Sequence, residues 1–529
     1  MIKVLIADDL SEKAIQILKD NDISFDVRTG LKQEELKGII KDYDALIVRS
    51  ATKVTKDIIE EAEKLKIIGR AGIGVDNVDV AAATQKGIIV MNTPQGNALA
   101  AAEHTIGLIF AAARRIAEAD RTMKQGKWEK KRLMGVEVYG KTLGVIGIGN
   151  IGALVAEKAL ALGMKVIAYD PYVSKEYAER KKVELVDFDT LLKESDIITI
   201  HVPLTKETRN MINKETFKRM KDGVILVNVA RGSIVNENDL LNALNSGKVS
   251  YAALDVFESE PPPPDSPLIL SDKTVCTPHL GASTLEAQDK VAVDIANQIV
   301  EYFKYGVIKN SVNVPSISLE TAKEISPYLL LSENLAYFLG AITEFPIKEV
   351  IIEYFGEVSK LETRVLTQGI LKNILSPQIE GVNYVNAPLI AKGRGIKVVE
   401  SKIEEHQDYT SLVVITVRED GRVNTAQGTL LGKKEPRLIK VNNIYLEADI
   451  KKGNFLFVYN YDKPGVIAGI SAVFYNRGIN IGGMHFGRES EGGLAVSLLG
   501  IDREIDDAII KEIESLPNIL KVKRIQFPG

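Results

Sequence analysis

Short apolar blocks alternate along the first three hundred residues with stretches whose apolar positions fall three or four apart. The blocks "KVLIAD", "ALIVRS", "LKIIGRAG" and "GIIVMNTP" are β-branched, and segments such as "SEKAIQILKD" separate them with helical spacing. This alternation predicts a parallel sheet with crossover helices. An Ala-rich helix from about Ala98 to Ala117 follows. A second series begins at Lys141, with strands "TLGVIGIG", "MKVIAYD", "DIITIHVPL", "VILVNVA", "YAALDVF" and "KTVCTPH". It predicts a complete doubly wound unit. Ser283 and Glu286 form a capping-box pattern, and Ala292, Ile295, Ala296, Ile299 and Phe303 then follow helical spacing. "NSVNVPSISLE", Asn310 to Glu320, predicts a linker. Mixed α/β character continues to about 450, with no catalytic constellation. From Asn454 the pattern is βαββαβ.

Composition narrows the class. At roughly 150 residues per domain, 529 residues imply three or four domains. The net charge of -4 carries no nucleic-acid footprint. A single cysteine, Cys276, excludes an intrachain disulfide and fits a reducing compartment. The opening "MIKVLIADDL" reads as a buried strand rather than a secretory signal. The most apolar run, "ALAAAEHTIGLIFAAARR", is broken by Glu103 and His104, short of the ~18 apolar residues a membrane span needs. A cytoplasmic chain with no membrane contact is expected.

Gly147-Ile148-Gly149-Asn150-Ile151-Gly152 follows a strand and opens a helix, and Asp170 ends the next strand. In that context the glycines predict a dinucleotide cradle. Gly147 permits the turn, Gly149 admits the pyrophosphate, and Gly152 lets helix and strand pack; a packing turn without cofactor is the alternative. Asp170 would accept the ribose hydroxyls and repel a 2′-phosphate. No arginine follows directly in "DPYVSKE", so NAD is expected over NADP. The motif lies far from the start, so another α/β unit precedes it and a cleft between the two is expected. A hydroxy-acid dehydrogenase also needs a carboxylate-binding cation, an acid/base and a group that tunes it. Arg231, Glu260 and His279 each follow a strand of the nucleotide unit. Singly they read as a surface arginine, a solvated glutamate and a turn histidine; together they point to that chemistry.

"GVIGIGNIG…VIAYDP", "NVARGSIVNENDLLNAL", "AALDVFESEPP" and "TPHLGAST" resemble the D-isomer-specific 2-hydroxyacid dehydrogenase family. "VRSATKVT", "GRAGIGVDNVDV" and "NTPQGNALAAAEHT" resemble its phosphoglycerate-oxidising branch, in the long form that carries an intervening domain and an ACT domain. The resemblance implies a flavodoxin-like substrate domain (1–97 and 283–310), a Rossmann-like NAD domain (98–282), an intervening α/β regulatory domain (315–450) and an ACT domain (453–529). It implies NAD-dependent oxidation of D-3-phosphoglycerate to 3-phosphohydroxypyruvate, the first step of phosphorylated L-serine biosynthesis. His279 is then the acid/base, Glu260 orients it, and Arg231 holds the carboxylate. Cofactor contacts are implied at Ile73, Asn150, Ile151, Asp170, Ala230 and Asp255, the last to the nicotinamide carboxamide. Arg49, Arg70 and Asn97 match substrate positions, surface ion pairs being the alternative for the arginines. L-Serine as effector is implied at Asn460, Asp462 and Asn480, between paired ACT domains. Lys392, Arg394 and Lys397 offer either an anion site or a solvated strand end. No metal is expected. His104 reads as a core or interface histidine. His201 could reach NAD through its backbone only. Trp128 could reach an adjacent subunit's site in a homo-oligomer, a dimer or a tetramer. The rival readings are a glyoxylate or hydroxypyruvate reductase and a non-enzymatic NAD-sensing protein like the family's corepressors.

Overall fold

The computed structural model describes residues 2–94, 96–316 and 319–527, and its backbone is organised by four sheets. The first contains β1 (Lys3–Ile6), β2 (Ser24–Val27), β3 (Ala45–Val48), β4 (Ile67–Arg70) and β5 (Ile89–Met91). All are parallel, in the order β2-β1-β3-β4-β5, the flavodoxin-like order. The second contains β6 (Thr142–Ile146), β7 (Lys165–Tyr169), β8 (Glu184–Leu185), β9 (Ile197–Ile200), β10 (Val224–Asn228), β11 (Val249–Leu254) and β12 (Thr274–Cys276). It is parallel throughout, in the order β12-β11-β10-β9-β6-β7-β8. The chain leaves β6 toward β7 and later returns on the other side at β9, so the switch point lies between β6 and β9. Ligands of open α/β sheets bind outside the carboxyl ends of the strands at such a point. Every residue of β3, β9 and β10 is buried. Helices cover both faces, which is why these strands read as continuous apolar runs.

The helix Leu285–Tyr305 carries the chain back to the first sheet. Its Val291, Ala292, Ile295, Ala296 and Ile299 share a core with Val4, Ile6, Ile47 and Ile67. The structure moves its cap one residue from the expected Ser283. Thr284 is the N-cap and accepts from the Ala287 N–H at 3.1 Å. Ser283 still belongs to the preceding turn, where its N–H reaches the Leu280 carbonyl at 2.8 Å. The Ala-rich helix is also shorter than expected. It spans Ala98–Arg114 and breaks at Arg115, whose φ of 52° is left-handed. The returning chain takes the Ala113 carbonyl through the Val136 N–H at 2.8 Å, and a second helix, Ile116–Lys124, departs from there.

The third sheet contains β13 (Glu349–Gly356), β14 (Lys397–Ile403), β15 (Ser411–Glu419), β16 (Arg422–Leu431), β17 (Glu435–Val441) and β18 (Ile444–Asp449). Its order is β14-β13-β15-β16-β17-β18, antiparallel except between β13 and β14. The fourth contains β19 (Gly453–Tyr461), β20 (Ile481–Arg488), β21 (Leu494–Ile501) and β22 (Ile519–Phe527), antiparallel in the order β20-β21-β19-β22. With the helices Val466–Asn476 and Asp507–Glu514 it makes the βαββαβ unit. These two sheets share one core, in which Phe338 meets Phe457 edge-on at 5.0 Å. Val385 enters the core of the first sheet, and Asn383 lies against Gly87. The linker expected from Asn310 to Glu320 already yields to helix at Leu319; its Ile317 and Ser318 lie outside the described residues.

One close contact sets the register of the candidate site. A Cβ on Gly232 would stand 1.9 Å from the Phe257 carbonyl carbon and 2.5 Å from the Glu258 nitrogen. The turn after β10 therefore rests directly on the turn after β11. Gly232→Ala should destabilise the fold by about 1–3 kcal/mol through overpacking, read as a fall in melting temperature; an unchanged melt would contradict this account of the contact.

Candidate active site

Arg231, Glu260 and His279 follow β10, β11 and β12, three adjacent strands, at their carboxyl ends. His279 Nδ1 lies 2.7 Å from Glu260 Oε2. Ionised Glu260 can only accept here, so Nδ1 carries the hydrogen and Nε2 is left for chemistry. Burial alone would raise the Glu260 pKa; the hydrogen bond and charge of His279, with the Phe257 N–H, outweigh it and hold the carboxyl below its ordinary range. The His279 backbone is left-handed, with φ of 55°. A non-glycine residue there costs on the order of 1 kcal/mol, so its surroundings must enforce it.

Asp255, at the end of β11, supplies that enforcement. Its carbonyl accepts the His279 N–H at 2.9 Å. Its carboxylate accepts from Leu280 N at 2.7 Å, Gly281 N at 2.9 Å and Thr277 Oγ1 at 2.5 Å. Sequence reasoning put Asp255 against the cofactor; its side chain is instead fully buried and engaged by protein donors. Burial alone would raise its pKa, but donors including His104, Thr277 and Leu280 leave it below the ordinary carboxylate range. Its stabilising contribution is therefore present at neutral pH and is lost only as pH falls through that lowered value.

Across the cleft the first sheet contributes cations. Arg70 ends β4, half-buried, and its buried Nε has no hydrogen-bond partner. Burial, then repulsion from Arg231 and Arg49, brings its pKa down to about 10, with Asp76 and Asp8 opposing. A Cβ on Gly72 would stand 1.6 Å from Arg70 Nη1, and one on Gly74 would stand 1.8 Å from Arg231 Nη2. The glycines of "RAGIG" are thus the space in which two guanidinium groups lie. Arg231 Nε and Nη2 both reach Asp76 Oδ2 at 2.7 Å, which occupies the edge suited to a carboxylate. The loop carrying Arg49 is pinned by Asp8, whose Oδ2 accepts from Arg49 N at 2.6 Å. Asn97 heads the helix Ala98–Arg114, and its Oδ1 is buried without a partner. Ile73 lies between the two arginine-bearing glycines, and its carbonyl accepts from Asn92 Nδ2 at 2.5 Å.

The glycine cradle has room for a dinucleotide. Gly149 is the N-cap of the helix Asn150–Ala161, and a Cβ there would meet nothing within 4 Å. A Cβ on Gly152 would strike the Gly147 carbonyl at 1.9 Å, so that glycine packs helix on turn. Asp170 accepts from Ile148 N and Tyr172 N, each at 3.0 Å. These bonds orient its carboxylate and leave acceptor sites for ribose hydroxyls. Asn150 donates to the Pro94 carbonyl at 3.2 Å, while Ile151 occupies the first turn of the helix. The Ala230 N–H donates to Asn228 Oδ1 at 3.1 Å, and its carbonyl accepts from Arg231 Nη1 at 2.7 Å. His201 bonds Thr199 at 2.9 Å, and burial lowers its pKa to about 3, so its imidazole stays neutral. Burial likewise pushes the Cys276 thiol up. Trp128 is exposed. The residues that sequence reasoning missed are Gly72, Gly74, Asp76 and Thr277, and His104 was read as core or interface. A glycine pair beside an arginine was the available signal for the first two.

The regulatory candidates are not gathered. Asn460 pairs with Ala495 on β21, whereas Ile481, next to Asn480, pairs with Ile501. Six residues of strand separate those levels, roughly 20 Å. Within one chain Asn480 therefore stands apart from Asn460 and Asp462. Asp462 is paired with Arg488 at 2.8 Å, Asn480 bonds Asp502 at 2.9 Å, and Asn460 Oδ1 is buried without a partner. The three basic residues near 395 also disperse: Lys392 lines one cavity of about 400 Å³, Arg394 another of about 610 Å³, and Lys397 pairs with Glu349 at 2.9 Å. Among the described residues no group of His, Cys, Asp or Glu is placed to hold a metal ion, and no helix is long and apolar enough to cross a membrane.

Comparison with known proteins adds the following. Residues 106–281 match the NAD binding domain of D-isomer specific 2-hydroxyacid dehydrogenases, residues 324–442 the D-3-phosphoglycerate dehydrogenase intervening domain, and residues 455–518 the ACT domain. D-3-phosphoglycerate dehydrogenase of Archaeoglobus fulgidus is 44% identical over 99% of this chain and 100% of its own. The enzyme of that name from Methanocaldococcus jannaschii is 45% identical over 100% of both. Among solved structures, D-lactate dehydrogenase of Aquifex aeolicus, complexed with NAD and lactic acid, is 31% identical with a TM-score of 0.53, covering 59% of this chain and 100% of that one. Asp170→Ala should weaken NADH binding and narrow the preference over NADPH, measured by fluorescence titration. An unaltered preference would remove Asp170 from the ribose site.

Proposed function

The chain belongs to the D-isomer specific 2-hydroxyacid dehydrogenase family, in its D-3-phosphoglycerate dehydrogenase branch, and from that premise we propose how its residues carry out the reaction. It is an NAD-dependent oxidoreductase that converts D-3-phosphoglycerate to 3-phosphohydroxypyruvate, the opening step of phosphorylated serine biosynthesis. The observation that supports our assignment of roles is that Arg49 and Arg70 of the first sheet are gathered beside Arg231 of the second, two of the three lying over glycines, while the Nδ1 of His279, on the same sheet as Arg231, is fixed by Glu260.

Gly147, Gly149 and Gly152 with Asn150 and Ile151 would hold the pyrophosphate of NAD at the helix N-terminus, with Asp170 on the ribose and Ile73 and Ala230 along the nicotinamide half. When bound, NAD supplies the hydride acceptor for C2. Arg231 takes the substrate carboxylate, which displaces Asp76 from the same guanidinium edge. Arg49 and Arg70, with Asn97, face the phosphate; a dianion offsets the burial and the repulsion that lower the Arg70 pKa. His279 Nε2 removes the hydroxyl proton as C2 becomes a ketone, and Glu260 stabilises the imidazolium. In reduction the same atom returns the proton. A phosphate-free substrate would leave Arg70 buried beside other cations, which disfavours the glyoxylate or hydroxypyruvate reductase reading. The intervening and ACT units count against a purely NAD-sensing role.

The domain division stated above, a cytoplasmic location and a homo-oligomer accompany this reading. The ACT unit fits an amino-acid effector, and we assign L-serine as its ligand. Because one chain separates Asn480 from Asn460 and Asp462, a site using all three takes Asn480 from a second copy.

His279→Ala should lower turnover at least about a hundredfold while NADH binding, read by fluorescence, stays unchanged; retained turnover would sink the acid/base role. Arg70→Met should raise KM for 3-phosphohydroxypyruvate roughly tenfold or more and leave the poor reaction with hydroxypyruvate unaltered. An equal loss on both substrates would remove Arg70 from the phosphate.

A further inference from the structure

We propose that His104 is a positioning residue for the catalytic turn, acting through the buried Asp255 carboxylate that holds residues 277 to 281. The proposal rests on the assignment of His279 as acid/base. His104 lies on the Ala-rich helix, seven residues after Asn97 and so on the same helical face. Its Nε2 stands 3.2 Å from both Asp255 Oδ1 and Thr277 Oγ1.

The hydrogens can be placed by elimination. Thr277 has one hydroxyl hydrogen, and at 2.5 Å it goes to Asp255 Oδ1, which cannot donate. Toward His104 the hydroxyl therefore only accepts. A bare Nε2 lone pair would face two acceptor oxygens, so Nε2 carries a hydrogen and donates to both. Among the donors to the Asp255 carboxylate given above, His104 is the only one from outside the 277–281 segment. Leu280 N, Gly281 N and Thr277 Oγ1 move with the turn; His104 is anchored on a helix packed against β10 and β11. The backbones of Asp255 and Thr277 are held by the Asn228 and Leu254 carbonyls at 3.0 and 2.9 Å, so without His104 the freedom left is rotation of the carboxylate, which Leu280 and Gly281 can follow while staying satisfied. With it, the carboxylate is referred to a fixed helix, and through the Asp255 carbonyl the left-handed His279 is as well. The helix that orients the catalytic turn is also the one that begins at Asn97, on the substrate side.

The test uses the full-length chain with His104→Leu, which keeps bulk and loses the donor, and His104→Gln, whose amide can donate from a similar position. His104→Leu should lower kcat roughly 10- to 100-fold, leave KM for 3-phosphoglycerate within about twofold, and raise the primary isotope effect with C2-deuterated substrate. His104→Gln should recover most of kcat. Hydrogen exchange in the peptide carrying residues 277–284 should quicken in the Leu variant and recover in the Gln variant. Wild-type kcat in His104→Leu, unchanged exchange, or equal impairment of both variants with kcat and KM lost together would overturn the proposal. The exchange measurement needs no substrate, so it reads the His104 role even if wild type fails to oxidise 3-phosphoglycerate, an outcome that would count against the functional assignment alone.

Discussion

The left-handed backbone at His279 is the constraint on which the rest of the site depends. An imidazole on an ordinary extended strand end would point to one face of the sheet. The turn instead brings its Nδ1 to Glu260, a residue on the neighbouring strand's loop. That conformation is unfavourable for a side chain with a Cβ, and it persists because Asp255 binds the turn with both carbonyl and carboxylate. Buried charge, strained backbone and catalytic tautomer form one connected arrangement. The close packing of Gly232 on Phe257 extends it to Arg231.

Charge distribution across the cleft follows a different logic. Burial, with repulsion from Arg231 and Arg49, lowers the Arg70 pKa in the free protein, while Asp76 and Asp8 oppose it. Asp76 relieves part of that repulsion by occupying the Arg231 edge. An anionic substrate relieves the rest, so binding free energy comes from charges that the fold has already brought together. On the proposed assignment, the same arrangement would separate a phosphorylated hydroxy acid from its phosphate-free counterpart, because the latter leaves a half-buried guanidinium unpaired.

Much of this was legible in the sequence. The parallel sheets follow from apolar runs alternating with helical spacing, and the GxGxxG context points to the cradle because its three glycines have separate steric duties. Arg231, Glu260 and His279 could be grouped because each follows a strand of the same unit. What could not be read required knowledge of three-dimensional neighbours. Asp255 lies at a strand end like a cofactor ligand, and only packing shows its carboxylate turned into the protein. His104 sits in an apolar helix, where a core reading is natural until its Nε2 is seen against that carboxylate. Ser283 and Thr284 are both good caps; the hydrogen bond from Ser283 back to Leu280 decided between them.

The most direct test of the account is the rate of NADH oxidation with 3-phosphohydroxypyruvate compared with unphosphorylated hydroxypyruvate under identical conditions. The account predicts a kcat/KM higher by about two orders of magnitude or more for the phosphorylated keto acid, the scale expected when a buried cation is left unpaired. Equal kcat/KM for the two substrates would contradict it, because Arg49 and Arg70 would then have no phosphate to recognise.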